Sequence, residues 1–186
     1  MERRSGPARE KRALSVLGSL TPVERGEVLT TLLSAHPELL SEAERMAGAL
    51  LSTVSVEQIA CEVESALTGI PLGALAVRAG RVPGRGYVPE YDAAWELLEE
   101  AIGPFRVDLQ RRAELTVDQA ATRVAIGIVG GLYRVREPEL GTVLAYAGDD
   151  ALPELAASVL HLAATLGVVL PGDVPGEYWP SWTDLT

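Results

Sequence analysis

Apolar residues recur every three or four positions along most of this chain, which is the spacing of one face of an α-helix. Near the start, Val28, Leu29, Leu32 and Leu33 follow this spacing. No stretch shows a convincing alternation of apolar and polar residues, the pattern of a half-buried strand. The pattern predicts helices at residues 21–36, 37–53, 55–67, 71–79, 89–115, 116–136, 139–147 and 151–169.

Residues that favour helix ends support several of these boundaries. Thr21 and Glu24 have the spacing of a capping box, with Pro22 at the first helical position. Ser55 and Thr116 precede apolar-periodic segments and are predicted to cap the helices that follow them.

Two segments interrupt the helical pattern. Gly103-Pro104 is expected to stop or kink the helix that begins near residue 89, because proline has no amide hydrogen to donate. The clearest break is GRVPGRGYV at residues 80–88, which is predicted to be a loop.

Short connections between amphipathic helices favour antiparallel neighbours. The predicted fold is therefore all-α, a single domain of about seven to nine helices arranged as a bundle or as stacked helical hairpins. We expect a disordered basic arm at residues 1–12, the helical domain at 13–170, and an extended tail rich in proline and tryptophan at 171–186.

Two segments resemble helical-repeat proteins. PEYDAAWELLEEAIGPFRVDLQ (89–110) and AIGIVGGLYR (125–134) are similar to an aromatic-anchored helix followed by a glycine-containing helix in bacterial proteins of the TPR and HEAT type. The spacing departs from the TPR consensus beyond Trp95 and Leu98. The resemblance covers about a quarter of the chain and implies an interaction scaffold without a catalytic residue.

The charge balance narrows the classes of partner. Sixteen basic and 26 acidic residues give a net charge of −10, which disfavours nucleic acid or an anionic membrane as the main partner. The arm at residues 1–12 carries five basic and two acidic groups, so nucleic-acid binding stays a minor alternative there.

The N-terminal segment MERRSGPAREKR is charged and lacks the apolar region of a signal peptide, so a cytoplasmic location is expected. Cys61 is the single cysteine, which excludes an intrachain disulfide and a disulfide-stapled secreted fold. The most apolar stretch, residues 151–170, has a polar stripe that includes Glu154, Ser158 and His161, and it is predicted to be an amphipathic core helix.

Three glycines stand within the apolar run VAIGIVGGLYRVR at 124–136. Gly127, Gly130 and Gly131 match neither a phosphate-binding loop ending in GK[ST] nor a G-x-G-x-x-G fingerprint. An interior glycine costs a helix about 0.5–1 kcal/mol relative to alanine, so these residues need a compensating gain. Close approach of neighbouring helices is the favoured interpretation, and contact with a ligand is the alternative.

The segment around residues 78–88 is the best candidate for ligand binding. Arginines in this segment precede a helix N-terminus, where free amides and the helix dipole favour an anion. The alternative is that the arginines pair with Glu90, Asp92 or other acidic neighbours. The hypothetical ligand-binding residues are Arg81, Arg85, Tyr87, Tyr91 and Arg134.

Other chemistry has little support in the sequence. Two histidines and one cysteine form no zinc pattern, and no catalytic constellation or cofactor is indicated. In the tail, Trp179 and Trp182 need a surface to cover them, either the body of the protein or a partner.

These observations favour a non-enzymatic helical module for protein–protein interaction or self-association, of unknown pathway. The alternative is a protein, either a binding protein or an enzyme, that binds a small ligand or an anion through the arginine-containing segment at 78–88.

Overall fold

The computed structural model describes residues 16–137 and 140–171. Its contacts divide the chain into two units, one ending at Gly48 and the other beginning at Ala49. Residues 16–19 are helical, and seven further α-helices have both ends in the described residues: α1 (Pro22–Ala35), α2 (Leu40–Ser52), α3 (Val56–Thr68), α4 (Leu72–Arg78), α5 (Glu90–Glu114), α6 (Asp118–Arg134) and α7 (Ala151–Thr165). The predicted all-α class is confirmed.

The N-terminal unit, described from residue 16 to Gly48, contains α1 and most of α2. The predicted capping box is present, since the Thr21 amide donates to Glu24 Oε2 at 2.7 Å and the Glu24 amide donates to Thr21 Oγ1 at 3.3 Å. A 3₁₀ helix at Pro37–Leu39 precedes α2. Neither α1 nor α2 contains a buried residue.

The C-terminal unit is organised around α6, which contacts α3, α5 and α7. Helix α6 is buried on most of its circumference, as its continuous apolar pattern predicts. Its buried residues are Ala120, Ala121, Val124, Ala125, Gly127, Ile128, Val129, Gly130, Gly131 and Leu132.

Two glycines of α6 lie directly against α3. A Cβ atom added at Gly127 would be 2.6 Å from Ile59 Cβ and 2.9 Å from the Val56 carbonyl oxygen. At Gly131 it would be 2.6 Å from Val63 Cβ. These distances are shorter than contact between non-bonded atoms allows, so a side chain would not fit at either position. Close packing of α6 against α3 therefore accounts for both glycines.

Residues 80–88 form a small β-hairpin, so the prediction of a loop there was wrong. Strands β1 (Gly80–Val82) and β2 (Gly86–Val88) pair antiparallel, with Arg81 opposite Tyr87. Gly84 and Gly86 have φ angles of +80° and +84°, which the tight connection requires and which glycine adopts without steric cost.

The prediction that Thr116 caps α6 was also wrong, because its side chain makes no capping hydrogen bond to that helix. It has a φ angle of 55°, and it follows Leu115, the C-cap residue of the preceding helix. The Val117 amide donates to the Arg112 carbonyl and the Thr116 amide donates to the Ala113 carbonyl, both at 3.0 Å. These two bonds form a Schellman motif, in which this position is usually glycine.

Two other helix boundaries differ from the pattern. Helix α5 continues through Pro104, in agreement with the predicted range 89–115, so of the two outcomes expected at Gly103-Pro104 the stop does not occur. Pro104 and Glu100 are exposed, and water can therefore bond the Glu100 carbonyl that lacks an in-helix donor. A 3₁₀ helix at Val143–Tyr146 stands where a short α-helix was predicted at 139–147.

The described ranges contain no single helix with the length and apolar composition needed to cross a membrane. Helices α3 and α4 meet that criterion only when they are taken together, across a bend of 59°.

Candidate functional site

The hairpin and α5 border an open cavity of about 410 Å³. Tyr91, Asp92, Trp95 and Glu96 have i, i+1, i+4 and i+5 spacing, which places them on one face of α5. The hairpin and α7 supply the rest of the wall. The residues that line this aromatic–acidic cavity are Arg85, Tyr87, Val88, Tyr91, Asp92, Trp95, Glu96 and Glu154.

Three of the five predicted ligand-binding residues, Arg85, Tyr87 and Tyr91, therefore share one cavity. The other five lining residues were not predicted as ligand-binding; they are Val88, Asp92, Trp95, Glu96 and Glu154. The Trp95 and Tyr91 spacing on α5 could have indicated a shared face, whereas Glu154 lies far away in sequence and is brought there only by packing.

Arg85 is engaged by a carboxylate of the same cavity. Its guanidinium donates two hydrogen bonds to Glu96, one of them from Nη1 to Oε2 at 3.0 Å. This hydrogen bonding lowers the pKa of Glu96 and raises the pKa of Arg85. Both groups therefore carry full charge at neutral pH, and each largely neutralises the other.

The other two arginines of the segment differ in their surroundings. Arg78, at the end of α4, pairs with Glu100 of α5. Arg81 is exposed on β1, and no carboxylate of the described residues lies within 4.0 Å of its guanidinium. The nearby N-terminus of α5 already holds Glu90 and Asp92 in its first turn, where they complement the helix dipole.

Arg134 lies at a different place, between α6 and α3. Its Nη2 is 2.6 Å from Glu57 Oε2 and its Nη1 is 3.7 Å from Glu64 Oε2. Nη1 also contacts the Cys61 sulfur at 3.3 Å. The hydrogen bond to Arg134 lowers the pKa of Glu57, and the same bond raises the pKa of Arg134 above its usual range. Arg134 thus joins the two helices that pack at the glycines.

A second surface of interest lies on α1. It is an open stripe along one side of the helix and its C-terminal end, formed by residues spaced i, i+1, i+4, i+5, i+8 and i+9. This α1 face consists of Glu27, Val28, Thr31, Leu32, Ala35 and His36. Val28 and Leu32 are each 44% exposed.

Two further predictions concern the tryptophans of the C-terminal tail and the absence of a metal site. Trp179 and Trp182, the predicted partner-binding residues, lie outside the described residues. Within the described part of the chain, no group of three or more His, Cys, Asp or Glu residues has the geometry to hold a metal ion.

Comparison of this chain with known proteins and structures identified no relative. The resemblance to TPR- and HEAT-type repeats accordingly stays a prediction. No family model matches this chain, and it matches neither a characterised protein nor a solved structure.

Proposed function

We propose that this chain is a non-enzymatic helical module for protein–protein interaction, and that the α1 face binds a basic amphipathic helix of a partner protein. The observation that carries this proposal is the exposure of apolar side chains on the helices of the N-terminal unit. Neither α1 nor α2 has a buried residue.

Helices of this length are marginal without a surface to pack against. Helix α1 has 14 residues and α2 has 13, and isolated helices shorter than about 12–15 residues are barely stable in water. Large apolar side chains that remain exposed at residues 16–48 are Val16, Leu17, Val23, Val28, Leu29, Leu32, Leu39, Leu40 and Met46. A group of this kind is typical of a surface that a partner covers.

The net charge of −10 on the whole chain favours a basic partner, and residues 16–48 share its sign, whereas residues 1–12 carry an excess of three positive charges. Residues 16–48 contain five glutamates and two arginines, a formal charge of −3 without histidine. Glu27 borders the α1 face itself. A second copy of this chain would carry the same acidic charge, whereas a basic amphipathic helix offers apolar contact and charge complementarity together.

Fluorescence anisotropy with a labelled amphipathic peptide of leucine and lysine tests this proposal. We expect saturable binding, no binding of the matched leucine–glutamate peptide, and at least a roughly tenfold loss of affinity in Leu32→Asp. Val107→Asp is the control variant, because Val107 is an exposed apolar residue of α5 (67%) and the change adds the same charge.

Two outcomes would contradict the proposal. An unchanged or increased affinity in both Leu32→Asp and Val107→Asp would show that charge, and not the α1 face, holds the peptide, because each change adds one negative charge. A dimer in light scattering that Leu32→Asp dissociates would identify a second copy as the occupant of the α1 face.

The alternative function, anion binding by the segment at 78–88, has weaker support. Arg78 and Arg85 are paired with carboxylates, and only Arg81 of the three is without one among the described residues. If an anion does bind, sulfate should raise the melting temperature, and the double change Arg81→Ala with Arg85→Ala should remove that effect.

The proposal includes a cytoplasmic location. The single cysteine fits this part of it, since the chain does not depend on an intrachain disulfide. Fractionation of cells that produce a tagged full-length chain tests the location directly.

A further inference from the structure

The side chains that line the aromatic–acidic cavity carry a net negative charge, whereas an anion site at Arg85 would need a positive one. Its lining includes one basic residue, Arg85, and three acidic residues, Asp92, Glu96 and Glu154. The formal charge of the wall is therefore +1 − 3 = −2. An anion entering this cavity would be repelled by the wall as a whole.

The negative charge is concentrated on two carboxylates. Arg85 is held by Glu96, which leaves Asp92 and Glu154 to face the cavity. Among the described residues, no arginine, lysine or histidine nitrogen lies within 4.0 Å of either carboxylate. These groups would attract a cation, although exposed carboxylates alone hold cations only weakly in water.

Aromatic rings supply the second half of a cation site. Tyr87, Tyr91 and Trp95 line the same cavity, and Tyr87 and Tyr91 are 77% and 46% exposed. The face of an aromatic ring attracts ammonium groups, and aromatic cages are a known means of binding quaternary ammonium. The volume of about 410 Å³ lies within the usual range of ligand pockets, about 300–1,000 Å³.

We propose that the aromatic–acidic cavity binds an alkylated ammonium group, with Tyr87, Tyr91 and Trp95 contacting its methyl groups and Asp92 and Glu154 balancing its charge. Alkylation favours the aromatic faces because such a cation is weakly hydrated, whereas a metal ion requires several oxygen ligands at short distance. The same chemistry occurs in a free choline-like molecule and in a trimethylated lysine side chain. The proposal does not depend on the α1 face.

Titration of the full-length chain with tetramethylammonium, followed by aromatic ¹H–¹³C NMR, tests the site. We expect saturable shifts of the Tyr87, Tyr91 and Trp95 ring signals, with no comparable shifts from sodium chloride at the same ionic strength. Parallel titrations with choline and with a trimethyllysine peptide distinguish a free ligand from a protein side chain, and tighter binding of either one supports the site.

Variants separate the aromatic and electrostatic contributions. Tyr87→Ala should weaken tetramethylammonium binding about three- to tenfold. Because Tyr87 is 77% exposed, we expect the variant to keep its fold, which circular dichroism checks. Trp95→Phe should retain more affinity than Trp95→Leu, because it keeps an aromatic face. Glu154→Gln should weaken binding, whereas Glu90→Gln, an exposed change in the same helix as Asp92, should not.

Arg85→Ala gives the sharpest discrimination between a cation site and an anion site. Removing Arg85 frees Glu96 and makes the wall more negative, so tetramethylammonium should bind more tightly. An anion site would instead lose affinity for sulfate. The proposal is overturned if no alkylammonium probe produces saturable ring shifts, or if Arg85→Ala weakens tetramethylammonium binding.

Discussion

Gly26 of α1 and Gly127 of α6 both lie in the interior of apolar-periodic helices, but their surroundings differ. An added Cβ at Gly127 meets Ile59 at 2.6 Å, whereas one at Gly26 meets nothing within 4 Å. Helix α6 is correspondingly buried, and α1 has no buried residue. The comparison shows that periodicity predicts a helix and its apolar face, but only a neighbouring backbone determines whether the face is covered.

Leucine at the two glycines should produce the largest difference between these regions. We expect Gly127→Leu to reduce the free energy of unfolding by more than about 4 kcal/mol, because the side chain would overlap α3. Gly26→Leu should leave stability unchanged or raise it by up to about 1 kcal/mol through helix propensity. Urea denaturation followed by circular dichroism measures both; similar losses would remove the basis for the comparison.

Truncation of leucines should show the same contrast at smaller scale. Leu98 of α5 is fully buried, and Leu98→Ala should cost about 3 kcal/mol. Leu32 of the α1 face is 44% exposed, and Leu32→Ala should cost less than about 1 kcal/mol in the isolated chain. Thermal unfolding of both variants tests this, and a cost at Leu32 as large as that at Leu98 would show that the α1 face is covered in solution.

The turn that leads into α6 should be improved by glycine. Thr116 has a left-handed backbone at φ 55°, which is unfavourable for a residue with a Cβ atom. Thr116→Gly should therefore stabilise the chain by about 0.5–1 kcal/mol, and Thr116→Ala should not. Differential scanning calorimetry of the two variants makes the comparison. A loss of stability in Thr116→Gly would argue that the threonine side chain is required.

The smallest expected effect concerns acid sensitivity. Burial opposes ionisation of Asp108, but hydrogen bonds from Arg112 and Arg111 outweigh it and lower the pKa of this carboxyl. A lowered pKa stabilises the folded state above the usual carboxyl range, and that contribution is lost as the pH falls through the lowered pKa.

Asp108→Asn should therefore lose less stability than the parent chain between pH 7 and pH 3, by under about 1 kcal/mol. Glu42→Gln is the comparison variant: Arg45 lowers the pKa of Glu42 too, but this carboxylate is fully exposed, so its removal should change the pH dependence less. Urea denaturation at both pH values measures the difference. Identical pH dependence in Asp108→Asn and the parent would contradict this assignment.

Local signals in the sequence were sufficient for most of the helices. The capping box at Thr21 and the cap at Ser55, whose Oγ accepts from the Gln58 amide at 3.4 Å, both lie within a few residues of the bonds they form. The glycines of α6 could also be interpreted, because three of them in one apolar helix require a compensating contact.

The missed features depend on distant or very short elements. Strands β1 and β2 have three residues each, too few to show alternation, and only Pro83-Gly84 signals a turn. Thr116 looked like a cap because a helix follows it, but its conformation is fixed by bonds to the preceding helix. The cavity wall required Glu154, which no spacing near the hairpin could have indicated.

Pro104 has a consequence for the motion of α5. The helix lacks one backbone hydrogen bond at this level, because proline cannot donate to the Glu100 carbonyl. The half before Pro104 carries Tyr91 and Trp95, and the half after it carries Asp108 and Arg112. Because the hydrogen bond at this level is already absent, we expect α5 to bend here with the least further loss of backbone bonding, so that its first turns move more readily than its last.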